Sequence, residues 1–253
     1  MSTIHYEKRI VAFIDILGFK SLIEETQKPD CMPEKVENIR DAFSYIYNML
    51  EEHYTKEQVE EINYSTFSDC IVFSFPIRQN DSLFFSLLPL VWLQAELMWK
   101  HDMLLRGAIT VGDIYHDDKM VFGPAMVEAH ELEGKKAIYP RIILDNKIEE
   151  EYSQWLAELQ AEGDSDKLYN LKNELTYTFK RKSGLLTKDE DGYYYVNYLE
   201  KIVKEMDQPE NYEKFITHAE SLTHQYLKPN METSVLKKYV WLHEKLQKIK
   251  LKF

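Results

Sequence analysis

Residues Lys8 to Ile16 read KRIVAFIDI, a near-continuous apolar run rich in Ile and Val, the pattern of a strand buried on both faces. Asp15 stands near its end, followed by Leu17, Gly18 and Phe19. An ionised carboxylate there is costly unless it is solvated, paired or bound to a cation, so the run supplies both a sheet strand and a first candidate for chemistry. Downstream, Val36, Ile39, Phe43, Ile46 and Leu50 recur at helical spacing and predict a helix from about Pro33 to His53 with one apolar face. Ile62 to Phe67 and Cys70 to Phe75 read as a hairpin with Ser68 and Asp69 at its tip. A long apolar helix runs from an Asn80 or Asp81 cap to about Lys100, kinked at Pro89.

Strands are expected at Leu104 to Val111 and Lys119 to Phe122, joined through Gly112, Asp113, Asp117 and Asp118. Gly123 and Pro124 open a helix to Glu133, and Ile138 to Leu144 reads as a strand that begins irregularly at Pro140. This order predicts an α+β fold over residues 5–145, helices packed on a mixed sheet. Residues 146–253 are more charged and read as an appendage. It comprises a helix from Ile148 to Leu171, a hairpin from Thr176 to Leu199 turning at Asp189, Glu190, Asp191 and Gly192, and helices at Tyr212 to Tyr226 and Ser234 to Lys250.

Over 253 residues, 44% hydrophobic content with 12 Phe and 17 Tyr excludes disordered and low-complexity classes. A formal charge of −12 argues against gripping a nucleic acid polymer, which needs a basic surface. Two cysteines, Cys31 and Cys70, make neither a disulfide framework nor a zinc spacing, and a reducing cytoplasmic location is expected. The start MSTIHYEKRI lacks an apolar signal core, and the run Leu83 to Leu93 is interrupted by Ser86 and Pro89, so no membrane segment is expected.

Asp15 and Asp69 carry the chemical reading together. Alone, Asp69 is also an ordinary turn residue, and Asp15 also a strand-end or helix-capping acid. If their strands are neighbours, both carboxylates emerge at one sheet edge and can bridge two divalent ions, as phosphoryl transfer requires.

The segments FIDILGF (Phe13 to Phe19), FSDCIVF (Phe67 to Phe73) and RGAITVGDIYHDDKMVFGPAMVEAHELE (Arg106 to Glu133) resemble, in order, the blocks of a class III nucleotide cyclase domain, with its ferredoxin-like, palm-type sheet. RGAITVGDIY, AIYPRIILD (Ala137 to Asp145) and DEDGYYYVNYL (Asp189 to Leu199) resemble more closely the bacterial pyrimidine cyclases of the Pycsar antiphage systems, over nearly the whole chain. The resemblance implies a catalytic domain at residues 5–145 and a hairpin and helical extension at 146–253. It implies that Asp15, Asp69 and the Ile16 carbonyl bind two divalent ions, Mn2+ or Mg2+. Phe13 would lie in the nucleotide site, and Gly18 and Phe19 would form the turn that cradles the triphosphate. Backbone N–H groups at a turn before a helix can hold phosphate oxygens without basic side chains, which reconciles an anionic substrate with an acidic chain. The implied partners are a pyrimidine nucleoside triphosphate, a second copy of the chain in a head-to-tail homodimer with shared sites, and, indirectly, an effector activated by the cyclic nucleotide.

The sequence departs from the family where adenylate and guanylate cyclases carry a transition-state Asn and Arg. Those places hold Val127 and Glu131, neither of which donates to a developing negative charge. Arg106 and Arg141 are the replacements expected, contributed across the dimer opposite Asp15, with Lys135 and Lys136 in reserve. Each arginine fits a structural ion pair equally well. The purine-reading positions hold Ser65 and Met120, a smaller polar code that points to a pyrimidine. A rotating Ser65 hydroxyl serves uracil or cytosine. UTP is favoured because uridylate cyclases are the commoner relatives by resemblance, with CTP the alternative. The missing Asn and Arg also leave room for a non-catalytic, dimeric interaction module. None of the eight histidines is assigned a role.

Overall fold

The KRIVAFIDI run lies within β1 (Glu7–Ile16), whose residues from Ile10 to Ile14 are at most 5% exposed. In the computed structural model, residues 5–29, 32–77, 82–180, 184–204, 206, 208–228 and 230–250 are described. Cys31 and the expected caps Asn80 and Asp81 lie outside them. After β1 come α1 (Phe19–Thr26), α2 (Pro33–His53) and a short α3 (Lys56–Glu60), which Thr55 and Gln58 start as a reciprocal capping box. The hairpin β2 (Asn63–Phe67) and β3 (Cys70–Pro76) follows, then α4 (Ser82–His101), β4 (Leu105–His116), β5 (Val121–Phe122), α5 (Pro124–Lys136) and β6 (Ile142–Leu144). The α+β architecture read from the sequence is the one observed.

The sheet runs in the order β2-β3-β1-β4-β6, continues into β8 (Tyr194–Val196) and β7 (Leu186–Lys188), and carries β5 on β4. β4 and β6 are parallel and the other pairs antiparallel, so the sheet is mixed. Because side chains alternate across a strand, register assigns each residue to a face. Ile10, Ala12, Ile14, Phe73 and Phe75 pack with Ile46 and Leu50 of α2 and Leu90 and Leu97 of α4. Val11, Phe13, Val72 and Ile114 point the other way and are covered by Ala125 and Ala129 of α5. By length and composition α4 could cross a membrane, yet 72% of its apolar window is buried inside the protein.

The C-terminal part differs from the reading in three respects, one being that Thr176–Lys180, expected to open the hairpin, is a π-helical turn, so that its first strand begins at Leu186. The expected helix from Ile148 to Leu171 is two, α6 (Asn146–Glu162) and α7 (Ser165–Leu175). Gly163 closes the first in a left-handed conformation, and the Asp164 carboxylate caps the second by accepting from Lys167 N. The hairpin expected as an appendage extends the main sheet, β8 pairing with β6 through Ile143 and Leu144. A helical turn (Tyr198–Lys201, α8) follows, and α9 (Pro209–Tyr226) and α10 (Thr233–Lys250) pack together, with Tyr226 stacked on Tyr239 at 4.2 Å between centroids.

At the centre of the sheet, Gly107 admits no side chain. A Cβ there would lie 2.6 Å from the Phe13 carbonyl oxygen and 3.2 Å from Ile14 Cα, both backbone atoms of the paired strand. Gly107→Ala is therefore expected to cost about 1–3 kcal/mol of stability by prying β4 from β1. A urea midpoint unchanged from the wild type would contradict that close approach.

Candidate active site

The β2–β3 turn has only two residues, and Ser68 takes the left-handed conformation (φ 57) that aligns such a turn with the strand twist. That geometry brings Asp69 back toward the end of β1, where Ile16 N donates to the Asp69 carbonyl at 3.0 Å. Ligand atoms of Asp15, Asp69 and Cys70 consequently lie within 4.8 Å of one another, all half-buried. Burial, reinforced by the Asp69 charge, raises the Asp15 carboxyl above its ordinary pKa although Arg106 pulls the other way. Burial and the surrounding carboxylates push the Cys70 thiol to about 11, so at neutral pH it is a protonated neighbour rather than a thiolate ligand. Two carboxylates so close together are a donor set that fits a hard divalent cation, with Asp15 and Asp69 as its oxygen ligands.

Arg106 is directly opposite Asp15 in the β1–β4 ladder of the same chain. Its Nε donates to Asp15 Oδ2 at 2.9 Å, and Glu133 Oε1 lies 2.7 Å from the same nitrogen but outside hydrogen-bond alignment. The two terminal guanidinium nitrogens have no hydrogen-bond partner among the described residues. Glu133, at the C-terminal end of α5, is 4% exposed, and burial, helped by Asp15, holds its carboxyl above the ordinary range. From α10, Lys238 comes within electrostatic reach of Arg106, Asp15 and Glu133, its ammonium lowered mainly by burial. Sequence reading passed over both residues. Glu133 was legible only as the end of a helix, and Lys238 lies in the tail, more than a hundred positions from the acids it approaches.

Arg141 is a correction. Its side chain is wholly buried and forms ion pairs with Asp189 and Asp191 at the tip of the β7–β8 hairpin. The guanidinium carbon is 5.1, 5.4 and 5.6 Å from the ring centroids of Tyr139, Tyr195 and Trp241. Asp189 also accepts from Trp241 Nε1 at 2.7 Å and Lys245 Nζ at 2.6 Å. Burial works against ionising Asp189, but these donors and Arg141 hold its pKa below the ordinary value. Within the chain the cation is enclosed by these groups and does not join Asp15 and Asp69, whereas the cross-strand partner of Asp15 is Arg106. The expectation that Arg106 faces Asp15 from another chain is corrected too, since the two are cross-strand neighbours within one chain.

Gly18 takes φ 75 at the start of α1, a left-handed conformation open to glycine at little cost, and a Cβ there would meet nothing within 4 Å. The turn therefore has free space beside it. Phe13 lies on the face of Asp15 and packs edge-on against His130 at 5.0 Å. Val127 and Glu131 sit on the exposed side of α5, and Glu131 pairs with Lys135 at 2.7 Å. Lys136 ends the same helix.

Ser65 pairs across the ladder with Val72, which places it on the face that carries Phe13 and Asp15. It lines a cavity of about 430 Å³ at the β2 edge, with Tyr47, Phe67, Asp117 and Lys119. The Ser65 hydroxyl is engaged, 2.9 Å from His116 Nε2, while the other ring nitrogen of His116 is 2.9 Å from Ser74 Oγ. Met120 is exposed in the β4–β5 turn, its N–H donating to Asp117 Oδ1 at 2.9 Å.

No family model matches the chain, and none of the curated proteins does. Among solved structures it is similar to the monomeric guanylyl cyclase domain of the RhoGC fusion protein from the aquatic fungus Blastocladiella emersonii, with 12% identity over 77% of this chain and 96% of that one, TM-score 0.43. A non-canonical dimeric form of the RhoGC domain aligns at 12% identity over 77% and 98%, TM-score 0.47. The catalytic core of a rhodopsin-guanylyl cyclase with converted specificity, in complex with ATPαS, aligns at 14% over 78% and 98%, TM-score 0.45.

Proposed function

We propose that the chain is a metal-dependent nucleotide cyclase that converts a pyrimidine nucleoside triphosphate, UTP before CTP, to the 3',5'-cyclic monophosphate and pyrophosphate. The observation that carries this reading is the convergence at one sheet edge of Asp15, Asp69 and an arginine with unspent donors, Arg106, beside the open Gly18 turn. The ordered resemblance of the segments around these residues to class III cyclases supports it. In the reaction the ribose 3'-oxygen bonds to the α-phosphorus, the bond from that phosphorus to the β-bridging oxygen breaks, and the hydroxyl proton passes to solvent.

Asp15 and Asp69, with the Ile16 carbonyl, would hold two Mn2+ or Mg2+ ions, which when bound lower the pKa of the 3'-hydroxyl and neutralise the triphosphate. Arg106 is oriented by Asp15 and Glu133 so that its terminal N–H groups face the developing charge on the α-phosphate. The Gly18 and Phe19 turn receives phosphate oxygens through backbone N–H groups. The chain acts as a homodimer. An aromatic cluster of exposed Tyr6 and Phe122 with half-buried Tyr115, Tyr6 and Phe122 centroids 6.0 Å apart, offers apolar surface for a second copy. By resemblance, the product is a second messenger of cytoplasmic antiphage defence that switches on a separate effector.

Val127 and Glu131, which stand where the family carries Asn and Arg, favour a second reading as a dimeric module without turnover. Incubating the protein with UTP, CTP, ATP and GTP at equal concentration and Mn2+, followed by mass spectrometry, separates the two. A cyclic pyrimidine nucleotide is the expected product. A purine product would refute the base assignment, and no product from any of the four would favour the module.

A further inference from the structure

Ser74 is fully buried in β3, and among the described residues its hydroxyl has a single hydrogen-bond partner, Nδ1 of His116. Its carbonyl is spent on Arg9, whose Nη2 donates to it at 2.9 Å. A buried hydroxyl with one partner must donate to it, because accepting instead would leave a buried O–H without an acceptor. His116 Nδ1 is therefore the acceptor, and the ring's proton sits on Nε2, 2.9 Å from Ser65 Oγ. His116 is neutral at physiological pH, since burial and then the nearby Arg9 charge push its pKa down to about 4 against the opposing pull of Asp117. The order of donation then runs Ser74 to His116 to Ser65. Ser65 accepts from the imidazole, and its own O–H is free to donate toward the cavity it lines.

We propose that His116, held in its Nε2–H tautomer by Ser74, is a specificity-determining positioning residue that makes Ser65 a hydrogen-bond donor and so selects a base edge with an acceptor at position 4, uracil over cytosine. The proposal rests on the cyclase reading and narrows it. A keto oxygen satisfies the Ser65 proton. An amino group in that place would have to use the second lone pair of Ser65 and would leave the O–H unspent, so the chain discriminates through an unsatisfied donor rather than through shape. The free rotation of Ser65 that would serve both bases is removed by the histidine.

The test joins two measurements on the full-length protein. Nitrogen-15 NMR of the wild type should show His116 protonated at Nε2 and bare at Nδ1, with no nucleotide needed. Competition between UTP and CTP at equal concentration with Mn2+ should give cyclic UMP in about tenfold excess, the scale of one unsatisfied hydrogen bond. In Ser74→Ala, which removes the donor that fixes the tautomer, and in His116→Phe, which removes the ring donor, that excess should shrink to within about threefold. An Nδ1–H tautomer, or an unchanged preference in both variants while cyclic nucleotide still forms, would overturn the relay and leave the cyclase reading standing. Absence of any cyclic product from the wild type would overturn the cyclase reading itself, and the base assignment with it.

Discussion

Asp15→Asn is expected to cut cyclic-nucleotide formation by roughly a thousandfold while leaving the protein at least as stable as the wild type. The two halves have one cause. The Asp15 carboxyl is raised by burial, so the folded state binds its proton more tightly than the unfolded chain does. The sign follows: stability from this group is present at low pH and is lost as pH rises through the folded value, which makes the ionised carboxylate a net cost at neutral pH. Asparagine keeps the shape and removes the cost, along with the charge that a divalent ion requires. Arg106 keeps Glu133 as a neighbour at 2.7 Å and is not left without an anion. Asp69→Ala should lose turnover to the same extent. Product analysis and thermal melting on the same samples check both parts, and full activity in either variant would sink the paired-acid centre. Because Asp15 and Arg106 belong to one chain, mixing Asp15→Asn with Arg106→Ala subunits should restore nothing.

Arg141→Ala is expected to cost about 3–5 kcal/mol of stability, the scale of breaking a buried ion pair by removing one partner. Asp189 would keep Lys245 and Trp241, but the aromatic cage of Tyr139, Tyr195 and Trp241 would close on a void, and Asp191 would lose its cation. Urea unfolding measures this directly. A variant that folds with wild-type stability and yet makes no product would return Arg141 to the catalytic set.

The contrast between these two arginines marks how far the sequence can be read. β1 was legible because an unbroken apolar run with strand-forming residues has few other uses, and the β2–β3 hairpin because two such runs flank a two-residue polar gap. Those two elements carry the acids, so Asp15 and Asp69 were legible with them. Arg106 and Arg141 look alike in the sequence, each in an apolar strand with a small or apolar neighbour. Which one meets an acid of the site depends on ladder register and on a hairpin 48 residues downstream. His116 was invisible as a partner of Ser65 and Ser74 for the same reason, since contacts 51 and 42 positions apart leave no periodic trace. The break at Gly163 was readable in principle, because Gly followed by Asp is a stop and a start in succession.

The Arg141 clasp also orders events in time. The arginine emerges from the ribosome 48 residues before Asp189, and Trp241, which closes the cage, follows a further 52 later. At about 5–20 residues per second, several seconds separate the synthesis of the buried cation from that of its last enclosing group. During that interval β6 lacks both its partner strand β8 and the carboxylates that enclose Arg141, so residues 5–145 made alone would hold the chemistry-bearing strands but not a finished sheet. The strands that carry Asp15, Asp69 and Arg106 are thus made well before the part of the sheet beyond β6 that the tail completes.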